Sequence, residues 1–93
     1  MRAARIDANQ PEIVRALRKA GCSVQPLHTV GGGVPDLLVC RGTCLYLLEI
    51  KDGAKPPSAR QLTPDQKAWH RDWCGPVHVV ESIEAALAAV GME

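Results

Sequence analysis

Ninety-three residues, 46% of them hydrophobic and 23% charged, suffice for one globular domain and exclude both a two-domain chain and a disordered one. The formal net charge is +1, so no global cation field marks a protein that coats nucleic acid, although an enzyme that meets phosphate locally through a metal is not excluded. A domain this small buries about 60–65% of its unfolded surface, which predicts marginal stability and leaves apolar surface for a partner subunit to cover.

The first predicted element is a helix over "DANQPEIVRALRKAG". Asp7 or Asn9 can cap it, Pro11 sits in the first turn where a missing N–H is harmless, and Gly21 ends it. Ile13, Val14 and Leu17 form its apolar stripe. "CSVQPLHTV" reads as a strand, at an edge because of Pro26, and is followed by a glycine turn. Two apolar runs, "VPDLLVC" and "CLYLLEIK", joined by "RGT", read as an antiparallel hairpin whose strands are covered on both faces. "DGAKPPSARQ" is a polar loop. In "LTPDQKAWHRDWCG", Thr63, Pro64 and Gln66 form a T-x-x-Q capping box for a second helix that Gly75 stops. "PVHVV" is a short last strand, and "SIEAALAAVG" a third helix, capped by Ser82 and ended by Gly91. The predicted order is αβββαβα, one domain over 1–93.

Cys22, Cys40, Cys44 and Cys74 contain no C-x-x-C pair, which argues against zinc. A Cys40–Cys44 disulfide across the hairpin is conceivable, but small buried thiols in a reducing cytoplasm are the favoured reading. "MRAARIDANQ" lacks the apolar core of a signal peptide, and no run approaches the ~20 apolar residues of a membrane span, so an intracellular protein is expected.

The hairpin carries charges where its strands are otherwise most apolar. Alternation puts Glu49 and Lys51 on one face, and antiparallel pairing about "RGT" brings Asp36 level with Leu48 or Glu49. Two carboxylates brought together repel and resist desolvation, and one lysine neutralises only one of them. A divalent cation would resolve the conflict, and hard oxygen ligands favour Mg²⁺ or Mn²⁺, with the Ile50 main-chain carbonyl as a further ligand. Such an ion activates water and neutralises phosphoryl charge, and Lys51 could orient the water or stabilise the developing charge. The plainer alternative is a Glu–Lys pair at a strand end, with Asp36 opening a turn.

"PD" followed after twelve residues by "EIK" resembles the PD-(D/E)XK nuclease superfamily. "NQPEIVRALRKAG", "GGGVPDLLV", "LYLLEIKDG" and "LTPDQKAWH", in that order along nearly the whole chain, are together similar to the virus-type replication-repair nuclease domain, VRR-NUC, in its small stand-alone phage and prophage form. The resemblance implies an α/β, restriction-endonuclease-like three-layer core, with a central mixed sheet flanked by helices. It implies a Mg²⁺- or Mn²⁺-dependent endodeoxyribonuclease, structure-selective in the manner of a Holliday-junction resolvase or a nicking enzyme. It further implies a homodimer acting on branched or duplex DNA in a bacterial cytoplasm. Asp36 and Glu49 would be metal ligands, Ile50 would offer its carbonyl oxygen, Lys51 would be the catalytic lysine, and Gln66 a site-lining glutamine. The chain departs from the resembled pattern in the first helix: resolvase-like nucleases of that superfamily place a metal-site glutamate there, and counting back from the helix-ending glycine puts that position at Gln10; Glu12, two residues on, faces elsewhere and reads as an ordinary helix-start acid paired with Asn9. Lys55, Arg60, Lys67 and His70 are further candidates for DNA contact, as is His28. Trp69 and Trp73, one turn apart, read as core or dimer packing. A DNA-binding or assembly module that keeps the fold without turnover is the alternative.

Overall fold

A computed structural model describes residues 6–92; the first five residues, which belong to the segment read above as too polar for a signal peptide, lie outside them. The elements are α1 (Gln10–Lys19), β1 (Ser23–Pro26), β2 (Leu37–Arg41), β3 (Cys44–Ile50), a 3₁₀ turn (Pro57–Arg60), α2 (Pro64–Asp72), β4 (His78–Val80) and α3 (Ile83–Ala89). One four-stranded mixed sheet has the order β1-β2-β3-β4, with β1–β2 and β2–β3 antiparallel and β3–β4 parallel. β1, the strand that Pro26 closes, is at the sheet edge as expected. No helix among the described residues is long and apolar enough to cross a membrane.

The core lies on one face of the sheet. Leu37, Val39, Leu48 and Ile50 project onto Ile13 and Leu17 of α1 and onto Ala86 and Val90 at α3, all buried. Each large side chain withdrawn from water here contributes roughly 1.5–3 kcal/mol. α1 ends in a Schellman arrangement, in which the Cys22 N–H donates to Leu17 O (3.0 Å), the Gly21 N–H donates to Arg18 O (3.0 Å), and Gly21 takes φ +97°. Asn9, a predicted cap, makes no side-chain cap bond; its Nδ2 instead donates to Lys51 O at 3.2 Å and fastens the helix to the end of β3.

The other face corrects the expectation of strands covered on both sides. α2 approaches it, but no α2 residue is buried. Trp69 and Trp73 stack on each other (centroids 4.7 Å apart, 19° between planes) and line an open apolar groove with Leu38, Leu45 and Leu47. Leu45 is 66% exposed and Trp73 46%, so the tryptophan pair is not core packing. Strand apolarity alone cannot separate a covered face from an open one, and the leucines on this face made the runs look continuous. α2 also stops at Asp72, before Gly75, because Trp73 turns to extended backbone. All four cysteines are free; Cys44 and Cys74 are exposed, and only Cys22 is buried.

α2 is placed against the glycine turn. A Cβ at Gly33, whose φ is +82°, would overlap the Asp65 carbonyl, whereas one at Gly21 would meet nothing within 4 Å. Gly33→Ala is therefore expected to cost about 2 kcal/mol or more, and Gly21→Ala about 1 kcal/mol, by urea denaturation. Equal losses at the two positions would contradict this packing.

Candidate metal and active site

The hairpin register fixes the site. The two-residue turn at 42–43 uses Gly42 at φ +62°, and Leu37 pairs with Leu48, so Asp36, one residue before the strand, stands across from Glu49. Leu38, Leu47, Glu49 and Lys51 follow the alternation onto the face away from the core. Pro35 is fully buried immediately before Asp36, and the Leu27 N–H donates to Asp36 O at 2.8 Å, which holds the main chain there.

Asp36, Glu49 and Lys51 are all buried. The Ile50 N–H donates to Asp36 Oδ2 at 2.7 Å. Glu49 is 1% exposed; its Oε2 accepts from Gln66 Nε2 at 3.2 Å, while its Oε1 has no partner. Lys51 Nζ donates to Gln66 Oε1 at 2.7 Å and stands 4.0 Å from Glu49 Oε2. The Lys51 main chain is pinned on both sides, its N–H donating to Val80 O (2.9 Å) and its carbonyl accepting from Asn9.

Gln66 does two things at once. The Gln66 N–H donates to Thr63 Oγ1 and the Thr63 N–H donates to Gln66 Oε1, completing the predicted capping box. The same Oε1 accepts from Lys51, and Nε2 reaches Glu49. The residue that starts α2 therefore also bridges the lysine and the carboxylate.

Electrostatically the carboxyl pair is under load. Burial, then the facing Asp36 carboxyl, with which Glu49 shares a hydrogen bond once one of the two is protonated, and the charge of Asp36 push Glu49 up to about 9 from an ordinary 4.5. Burial also raises Asp36, opposed by its bonds to Glu49 and to the Ile50 amide. A proton shared on the Glu49 side relieves the repulsion, and a cation would do so by replacing that proton. Two adjacent buried carboxylates with one unpartnered oxygen are donors that a hard divalent ion fits, since Mg²⁺ is commonly held by one or two carboxylates together with water. Among the described residues no group of three or more His, Cys, Asp and Glu side chains gathers to hold a metal.

The cleft in front of these groups, about 500 Å³, is lined by Asp36, Glu49, Lys51 and Gln66 together with Asp7, the glycines at 31–33 and Lys55. Asp7 was legible only as a possible cap. It bears on the site electrostatically, raising both Asp36 and Glu49, and its Oδ1 lies 3.8 Å from Lys55 Nζ. No fixed spacing announces it, because the packing of α1 brings it in.

Other predicted residues fall elsewhere. Gln10 is buried with an unpartnered Oε1 but does not line the cleft. Glu12 is exposed and borders a separate groove with Asn9 and Glu81, with no bond to Asn9. Arg60 is paired with Glu81 (2.8 Å) away from the cleft, and Lys67 is exposed outside it. His70 does not line the cleft; its Nε2 is buried without a partner, and burial and then the Lys51 charge hold its imidazole below the usual value. His28 is half-buried outside the cleft.

The Glu49 shift has a stability consequence. The group ionises near 4.5 in the unfolded chain and near about 9 in the fold, so its contribution is complete below about pH 4.5 and is lost as pH rises through about 9. Relative to Glu49→Gln, which keeps the shape and cannot ionise, the metal-free wild type is expected to lose up to about 1.4 kcal/mol per pH unit inside that window. Parallel melting-temperature profiles for the two proteins between pH 5 and 8 would contradict the shift.

No family model matches the chain, and no curated protein or solved structure matches it either.

Proposed function

We propose that the chain is a Mg²⁺- or Mn²⁺-dependent endodeoxyribonuclease with a restriction-endonuclease-like core of the VRR-NUC kind. The observation that carries this reading is the buried Asp36–Glu49 pair beside a buried lysine on one wall of an open cleft. Burying two acids side by side is costly for a domain of marginal stability, and a catalytic cation gives a reason for it. Asp36 and Glu49 would hold the ion, with the Ile50 carbonyl as a further oxygen. When bound, the ion would supply charge neutralisation at a phosphoryl oxygen and a lowered water pKa.

The chain's own groups do the rest. Lys51 Nζ has three donors and uses one on Gln66, leaving two for an attacking water or a phosphoryl oxygen. Gln66 fixes the lysine's direction and, through Glu49, ties it to the carboxylate pair. Water attacks phosphorus in line with the departing 3′ or 5′ oxygen, and Lys51 stabilises the charge that develops. Lys55 is the cleft cation best placed to meet a flanking phosphate. Structure-selective cutting of branched or duplex DNA, action as a homodimer and a cytoplasmic setting belong to the same proposal. The exposed groove around Leu45 and Trp73 offers apolar surface for a second copy.

One observation favours a non-catalytic DNA-binding or assembly module instead: among the described residues no third acid gathers with the pair to hold a metal, and Gln10 stands where the resemblance implies a glutamate. A panel of junction, flap, duplex and single-stranded DNA with Mn²⁺ separates the two readings. Cleavage by the wild type, reduced at least ~100-fold in Asp36→Ala and Lys51→Ala with unchanged circular dichroism, is the expected outcome. Mn²⁺ binding without product from any substrate would favour the module, and variants that cut as well as the wild type would place the site elsewhere.

A further inference from the structure

Gly31, Gly32 and Gly33 take φ of +76°, +66° and +82° in succession. Successive main-chain N–H groups in a turn are the groups from which anion-binding concavities are built. None of the three amides donates to a main-chain or side-chain acceptor among the described residues, although Gly31 O accepts from the Val34 N–H at 3.3 Å. Main-chain donors this close to a buried site require water or a ligand as partner. All three glycines line the cleft that contains Asp36 and Glu49.

The turn is anchored at one end and open in the middle. Gly33 rests on the Asp65 carbonyl and the Gln66 amide, so the wall is registered to the residue that bridges Lys51 and Glu49. A Cβ at Gly32 would meet nothing within 4 Å. Among the described residues the cleft carries Asp7, Asp36, Glu49 and Asp65 against Lys51 and Lys55, and Lys55 is shared with Asp7. A polyanion entering such a cleft needs donors that bring no carboxylate with them, and the glycine amides are neutral donors on its wall, beside the side chains of Gln61 and Thr63.

We propose that the glycine turn at 31–33 binds a backbone phosphate of DNA next to the one that is cut, through main-chain amides. This rests on the nuclease reading and deepens it by assigning how the strand is held. The test uses Gly32→Asn and Gly32→Asp, two side chains of one size that both accept the left-handed region and differ by one charge. Thr29→Asp, at an exposed position outside the cleft, controls for charge alone. Binding of a fluorescein-labelled four-way junction is measured by anisotropy with Ca²⁺ replacing the catalytic ion, and the melting temperature of each variant is recorded. Gly32→Asp is expected to bind at least tenfold more weakly than Gly32→Asn, with Thr29→Asp like the wild type. Equal affinities of the two Gly32 variants, or an equal loss in Thr29→Asp, would overturn the proposal. Should either Gly32 variant melt early, wild-type binding to junctions carrying single neutral methylphosphonates decides: loss at one position beside the cut supports the wall, and no loss at any position overturns it. Wild-type cleavage combined with a negative result here would leave the nuclease reading standing, whereas a wild type that neither binds nor cuts would overturn both.

Discussion

Everything in the site follows from setting Asp36 opposite Glu49 in a hairpin whose next residues are buried leucines. Two carboxyl groups facing each other, both withdrawn from water, cannot both ionise cheaply. The Ile50 N–H and Gln66 Nε2 each stabilise one oxygen, and Lys51 contributes one positive charge at a distance of 4.0 Å. These partners are too few for two full charges, and one Glu49 oxygen is left without any. The pair is then complete only with a proton or with a cation. The first makes the domain sensitive to pH, and the second would give it a chemistry under the proposed reading.

The supports of that pair are the supports of the fold. Lys51 lies where β3 meets β4 and where Asn9 of the α1 start reaches across, so the lysine's main chain joins three elements. Gln66 closes the N-terminus of α2 while its side chain holds the lysine amine and a Glu49 oxygen. Gly33 lets α2 approach closely enough for this. α2 buries none of its own residues, so its place depends on these polar ties and on the partly covered Trp69 more than on a hydrophobic seat. A helix attached in this way couples the orientation of the lysine to its own capping.

Much of this is legible in the sequence. Turn residues and strand alternation give the hairpin register to within a residue, and the register alone brings Asp36, Glu49 and Lys51 together. The T-x-x-Q pattern announces both the α2 start and Gln66. What escaped was set by packing between elements distant in sequence. Asp7 looked like a cap and lies at the cleft; Asn9 looked like a cap and ties α1 to β3; Arg60 looked like a DNA contact and pairs with Glu81. The open face around Leu45 was hidden for a different reason, because an apolar residue reads alike whether a helix covers it or not.

The central claim, that the carboxyl pair trades a proton for a cation, is tested most directly by calorimetric titration of Mn²⁺ into the metal-free protein at pH 7 in two buffers of different ionisation enthalpy. The account predicts saturable binding with release of about one proton per ion, because Glu49 starts out protonated and must ionise to bind. Binding with no difference between the buffers, or no binding at all, would contradict it.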